Sequence, residues 1–231
     1  MNHSTASPPL VSIIVRTMGR ATLPRALSSI ARQSHRPLEI VLVDAAGAGP
    51  APAAPAGIPM RVVRRGPLDR PRAANAGLEA ATGDWIAFLD EDDEIAPDHV
   101  ASLMAVAVVS GADAAYSQTQ LTDEAGRPTR VFGGGPFSRE ALLRSNYLSI
   151  HAVLFSRRFV DEGFRFDDSF GMFEDWDFWL ALSSRGPFAF TGKATALYRA
   201  AEGASGAGTG TNLDRGAVLA QRERLMKKWL R

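Results

Sequence analysis

The chain has 231 residues, 45% of them hydrophobic and 22% charged, ordinary values for a globular protein that exclude a fibrous or disordered one. Its 26 basic and 25 acidic residues nearly cancel, leaving a net charge of +1, so no global field recruits nucleic acid or an anionic membrane. Cysteine is absent, which excludes disulfides, thiol nucleophiles and thiolate metal sites.

Residues 1–9 are polar and without an apolar core, so they read as a disordered N-terminus rather than a secretory signal. No apolar run approaches the roughly 20 residues that span a bilayer, and the expected location is the cytoplasm. Residues 10–15, LVSIIV, are a short β-branched run ended by Arg16-Thr17-Met18-Gly19-Arg20, the pattern of a buried strand and a turn. Over residues 23–34 apolar side chains recur at helical spacing, and EIVLV at 39–43 is a second strand closed by Asp44. Strand, helix, strand is the order of a parallel sheet with right-handed crossovers. The Ala/Gly/Pro stretch 45–59 has no periodicity and reads as an exposed loop. A third strand at 60–64 and a helix at 71–81 bearing Arg72, Asn75 and Gly77 follow.

Residues 85–100, WIAFLDEDDEIAPDHV, organise the rest. A short apolar run stops at Asp90, Glu91, Asp92, Asp93 and Glu94, and Pro97 opens a helix that runs to Ser110. Open α/β sheets hold ligands outside the carboxyl ends of their strands. Carboxylates delivered there point to a bound cation with an anionic ligand beyond it, or else to a solvated acidic turn. Asp90 and Asp92, two apart, lie on one side of an extended chain.

A hairpin turn at 123–128 then adds antiparallel pairing. Short helices are expected at 138–144 and 157–162, a strand beginning with His151 at 151–155, and a helix at 174–184 whose acidic start suits the positive helix end. The Gly/Ser/Thr/Ala stretch 200–212 reads as a flexible loop. In the final helix, 213–231, Val218, Leu219, Leu225, Met226, Trp229 and Leu230 read as one face, decorated by Arg222, Arg224, Lys227, Lys228 and Arg231. Docking on the core is expected, with peripheral contact to an anionic membrane as the alternative.

Four segments in this order resemble the family 2 glycosyltransferases, inverting enzymes with the GT-A fold. They are VSIIVRTMGR (11–20), LSSIARQSHRPLEIVLVD (27–44), NAGLEAATGDWIAFLDEDDEIAPD (75–98), with its Phe-Leu-Asp-x-Asp-Asp core, and FEDWDFWLAL (173–182). The resemblance covers about residues 10–200. It implies an α/β fold with a mainly parallel central sheet flanked by helices and an added antiparallel portion. One domain is expected over 10–231, with a nucleotide-binding half (10–110), an acceptor half and flexible loop (111–212) and the C-terminal helix.

The resemblance also implies a nucleotide-sugar donor, a saccharide or lipid-linked acceptor, and Mn²⁺ or Mg²⁺. Those ions prefer hard oxygen ligands. Asp92 becomes the direct metal ligand, with Asp90 nearer the ribose or a metal-bound water. Asp175 becomes the general base and Glu174 orients it or an acceptor hydroxyl. Arg16, Thr17, Asp44, Arg72, Asn75, Asp90 and Arg199 fall on the donor side, and His151 and Trp176 toward the acceptor. Asp93 is expected to shape the turn and Glu91 to be a spacer.

The sequence departs from the family pattern where relatives carry Val-Asp-Asp-x-Ser. Here it is Val43-Asp44-Ala45-Ala46-Gly47, so an acidic contact to the base is missing or supplied elsewhere. Met18-Gly19 replaces an aromatic-Asn pair, and no histidine follows Tyr198-Arg199. Other readings are a non-catalytic sugar-binding module, a nucleotidyltransferase, whose Gly-rich loop after strand one is missing here, and a haloacid-dehalogenase-type phosphohydrolase, which expects Thr or Val at Glu94.

Overall fold

A computed structural model describes residues 7–47, 51–123, 125–199 and 214–230. Its strands are β1 (Val11–Thr17), β2 (Leu38–Asp44), β3 (Met60–Arg64), β4 (Trp85–Asp90), β5 (Glu94–Ile95), β6 (Ala114–Thr122), β7 (Pro128–Phe132), β8 (Val153–Ser156) and β9 (Ala189–Arg199). They form one sheet in the order β3-β2-β1-β4-β8-β6-β9-β5, with β7 paired to β6. The first four neighbours are parallel. β8 runs antiparallel to β4 and β6, and β9 then returns parallel to β6.

All seven residues of β1 are buried because helices cover both faces of the sheet. Val11, Ile13 and Val15 pack with α1 (Leu23–Ala31) and α3 (His99–Ser110). Ile14, on the opposite face, joins α2 (Arg70–Ala80) and, after the short helices α4 (Arg139–Arg144) and α5 (Arg158–Asp161), the aromatic α6 (Glu174–Leu182), whose Phe178 and Trp179 are fully buried. Gly77 lets α2 approach this closely, since a β-carbon there would overlap the Ile14 Cγ2 methyl, which a β-branched side chain cannot withdraw. Gly77→Ala is therefore expected to destabilise the fold by about 1–3 kcal/mol through overpacking, although alanine is the better helix former. Urea denaturation checks this, and an unchanged or raised midpoint would refute the tight contact.

The register gathers the carboxyl edge. Arg16 stands opposite Asp90, and Thr17 opposite Asp44. The mainly parallel sheet with an antiparallel portion is as expected, with three local corrections. His151 does not begin a strand, because Ile150–Ala152 is a 3-10 turn and pairing starts at Val153. The short β5 and the long β9 were not foreseen. β9 carries Gly192 and Lys193 in its middle and pairs with a shifted register, so its side chains do not alternate cleanly.

The third correction concerns α7 (Arg215–Trp229). Leu225 is buried, but Leu219 and Leu230 are 64% and 65% exposed. At 3.6 residues per turn they stand roughly 120–140° around the axis from Leu225. The helix docks on the core as expected, through Leu225 with Met226 and Trp229 packed beside it, and polar groups add to the contact: Lys228 Nζ lies 2.9 Å from both Asp167 and Asp177, and Trp229 Nε1 donates to Asp177 at 2.8 Å. Among the described residues no helix is long and apolar enough to cross a membrane. The expected flexible loop 200–212 and most of the expected disordered N-terminus lie outside the described residues.

Candidate active site

At the carboxyl edge one guanidinium joins three elements. Arg16, 8% exposed, donates from Nε and Nη2 to the two oxygens of Asp90 at 2.7 and 2.8 Å. Its Nη1 reaches Glu174 Oε1 and the Arg70 carbonyl, each at 3.3 Å. Burial disfavours both charges of the Arg16–Asp90 pair, and their bidentate attraction overcomes it, holding Asp90 below and Arg16 above their ordinary values. Arg16 is thus committed to carboxylates, and Asp90 has both oxygens occupied by it.

Glu91 is not a spacer. Buried at 3% exposure, it accepts from Thr17 Oγ1 at 2.5 Å and from the backbone N–H groups of Met18 and Arg20 at 2.9 Å each. It thereby builds the turn after β1. The Thr17 hydroxyl, expected to face the donor, is used within that turn, donating to Glu91 and accepting from Gly19 N–H at 2.9 Å.

Asp92 points into the cleft, half-buried, with Arg20 Nη1 3.1 Å away. Burial and then the neighbouring Asp90 charge push its pKa up. Asp93 turns inward, where burial followed by Asp92 and Asp90 raises its pKa well above the ordinary aspartate value. His151 Nδ1 lies 3.2 Å from it, and burial pushes His151 down to about 4. His151 is 1% exposed and lines the cleft from behind Asp93.

The opposite wall carries Asp175. Phe173, just before α6, adopts a left-handed conformation (φ 64°) that is costly for a residue with a side chain. The chain then turns Glu174 inward to Arg16, at 4% exposure, and presents Asp175 to the cleft. Asp175 Oδ1 accepts from Trp176 N–H at 2.7 Å and Oδ2 from Asn146 Nδ2 at 3.2 Å. Burial, then the adjacent Glu174 carboxylate, pushes Asp175 up to about 7. Asn146 was not anticipated, since no motif or periodicity marks it. Trp176 is buried, its Nε1 donating to the Leu142 carbonyl at 2.6 Å.

Several expected donor contacts are engaged elsewhere. Asn75 clamps the Phe166 backbone, donating to its carbonyl and accepting from its N–H at 2.9 Å each. Arg72 is 60% exposed beside Asp69 and Asp168, whereas Arg70, two residues earlier, lines the cleft. Asp44 accepts from Gly47 N–H at 3.0 Å and Arg64 Nε at 3.4 Å, just behind the cleft-lining Ala45. Arg199 ends β9 with Nη2 3.1 Å from Glu94.

Two cavities adjoin at this edge. The larger, about 590 Å³, brings Asp90, Asp92 and Arg70 together with Asn146 and Asp175. The smaller, about 100 Å³, lies between Met18, Ala45, Leu68 and Asp69 and shares Arg16, Arg70, Asp90 and Asp92 with the first. Among the described residues no group of three or more His, Asp or Glu side chains is arranged to hold a metal. Asp92 offers a carboxylate toward the space, raised in pKa by burial and then by the Asp90 charge, both of which a bound cation would offset. This donor set fits a hard cation that takes its other oxygens from a diphosphate and water.

The family model described as glycosyl transferase family 2 matches residues 12–164. The chain belongs to glycosyltransferase family 2. As a member it is similar to the succinoglycan biosynthesis protein ExoO of Rhizobium meliloti (strain 1021), at 34% identity over 215 residues, covering 84% of this chain and 62% of the relative. It thus spans less than two thirds of that relative's length. A PGL/p-HBAD biosynthesis glycosyltransferase of Mycobacterium bovis (strain BCG / Pasteur 1173P2) is 28% identical over 177 residues, covering 74% of this chain and 68% of its own. Among solved structures, S. aureus TarS 1-349 in complex with UDP-GlcNAc superimposes with a TM-score of 0.67 at 17% identity, covering 95% of this chain and 71% of that one. The mannosyltransferase PcManGT from Pyrobaculum calidifontis, in complex with GDP-Man and Mn2+, gives 0.59 at 16% identity, covering 85% and 58%. The family 2 chain has the GT-A fold.

Proposed function

We propose that this family 2 chain transfers a sugar, with inversion, from a nucleoside-diphosphate donor to a hydroxyl of a saccharide or lipid-linked acceptor. The observation that carries the reading is Asp175, held near neutrality and facing Asp92 and Arg70 in one cleft. The acceptor hydroxyl gives its proton to the Asp175 carboxylate as its oxygen bonds to the anomeric carbon. The bond from that carbon to the diphosphate breaks, and its electron pair leaves with the diphosphate. Attack from the face opposite the leaving group inverts the centre.

Asp92 would hold Mn²⁺ or Mg²⁺, which when bound neutralises the departing diphosphate as a Lewis acid. Asp90, fixed by Arg16, shapes the donor wall rather than ligating the ion. The smaller cavity suits the nucleoside, with the Ala45 methyl in place of an acidic base reader. The names of the related biosynthetic proteins support a saccharide or glycolipid acceptor, and the complexes of fold neighbours with UDP-GlcNAc and with GDP-Man and Mn2+ support a nucleotide-sugar donor. In this reading residues 10–110 form the nucleotide half of one domain, and 111–212 the acceptor half and a loop whose residues 200–212 lie outside the described ones.

Calorimetry with UDP, GDP, dTDP and CMP, with and without Mn²⁺, tests the reading. At least one nucleotide is expected to bind, more tightly with the metal, and Asp92→Asn to weaken that binding by about 10–100-fold, the scale seen when metal-site partners are lost. Failure of all four to bind would overturn the proposal. Equal binding in EDTA would overturn its metal dependence.

A further inference from the structure

Arg16 ties the two walls of the cleft together. Its fork holds both oxygens of Asp90 from β4, and its remaining nitrogen reaches Glu174 at the start of α6, 158 residues away in sequence. Arg16 and Glu174 are 8% and 4% exposed, so neither charge is solvated by bulk water. Asp175, the next residue, takes its own hydrogen bonds from Trp176 N–H and Asn146. Glu174 therefore acts on Asp175 through its charge and its place on the helix.

We propose that Arg16 and Glu174 form a positioning bridge that pins the start of α6 to the donor wall and sets the base strength of Asp175. The proposal rests on Asp175 being the base of the proposed transfer. A bare buried carboxylate beside Asp175 would strongly oppose its ionisation, and the Arg16 charge offsets that opposition. After burial, the influences on Asp175 run in this sense, Glu174 raising its pKa and Arg16 lowering it.

The other charged or titratable groups facing the same cleft are Asp90, Asp92, Asp93, Arg70, Arg130, His151 and Tyr198. Arginines stay charged throughout. Asp90 stays ionised, and His151 and Tyr198, shifted away from neutrality, stay neutral as Asp175 titrates. Asp92 and Asp93, both raised in pKa, are left unaltered in every variant, so the shifts between variants report on the bridge.

The test is the pH profile of kcat for two variants that should move it in opposite directions. Glu174→Gln removes the neighbouring negative charge, so the acid limb moves down by about one pH unit. Arg16→Met leaves both Glu174 and Asp90 without their partner, and negative charge on either opposes ionisation of Asp175, so the limb moves up by about as much. The double variant should return it toward wild type. Circular dichroism checks folding; if Arg16→Met does not fold, Glu174→Gln decides alone, a downward shift supporting the bridge and none overturning it. Limbs that move in the same direction, or stay fixed, overturn the bridge if Asp175→Asn is inactive. Near wild-type transfer by Asp175→Asn would instead bring down the base assignment on which the bridge rests.

Discussion

Replacing Asp175 with asparagine is expected to lower the rate of sugar transfer by about 10²–10⁴-fold, the usual contribution of a positioned general base. Asparagine keeps the shape of the side chain and can still accept from Trp176 N–H through its carbonyl oxygen. The fold and the donor wall, built from β1, β4 and α2, should therefore survive. Donor binding measured by calorimetry is expected to stay within about threefold while turnover falls, since the lost interaction arises only in the transition state.

The wild-type enzyme should also show an acid limb in kcat near pH 7, because Asp175 is pushed up to about 7 by burial and by Glu174. The sign follows from the role: a base must be ionised, so activity falls as pH drops through that value and is restored as pH rises. Asp175→Asn should leave only a slow residual rate without that limb. Transfer by the asparagine variant at near wild-type rate would refute the assignment.

The second large effect concerns Glu91, which makes no contribution to the proposed chemistry. Its carboxylate satisfies Thr17 Oγ1 and the N–H groups of Met18 and Arg20. Glu91→Ala leaves all three donors without their acceptor, at about 1–3 kcal/mol for each that stays unsatisfied. Water admitted through the adjoining cavity will satisfy part of this, giving an expected loss of about 3–5 kcal/mol. The turn it supports carries Met18 and Arg20, both of which line the smaller cavity, so the donor KM should rise about tenfold or more. Glu91→Gln, which keeps an acceptor oxygen, should lose less than half as much stability. Urea denaturation and donor-saturation kinetics provide the checks, and a loss below about 1 kcal/mol for alanine would show that the turn stands without Glu91.

The first four strands and the identity of Asp92 and Asp175 as cleft residues were legible because hydrophobic runs and the order of motifs are local properties of the chain. Side-chain direction at element ends was not. Strand alternation places Glu91 away from Asp90, but the chain turns after Asp90 and folds Glu91 back against the β1 turn. The cation of α2 was expected at Arg72, yet Asp69 caps the helix one residue earlier than its expected start and brings Arg70 to the cleft. On a helix two residues are more than half a turn apart, so the two arginines face different surroundings. Asn146 meets Asp175 only through tertiary approach across 29 residues, for which spacing gives no signal. Asn75 looked like a donor contact because it lies on the helix beside the cleft, and only the fold reveals that its amide is spent on a backbone 91 residues distant.

That clamp has a mechanical consequence. By fastening α2 to Phe166, whose ring stacks on Phe178 of α6 at 4.1 Å, Asn75 makes the donor wall and the helix bearing Asp175 parts of one stiff frame. Two walls so joined are expected to move together rather than as separate jaws. In the proposed transfer, accommodation of acceptors of different girth would fall instead to the third wall, where β6 and β7 carry Leu121, Arg130 and Phe132 along a largely exposed hairpin. In that transfer the frame would fix the distance between leaving group and base, and the hairpin would read the size of the incoming molecule.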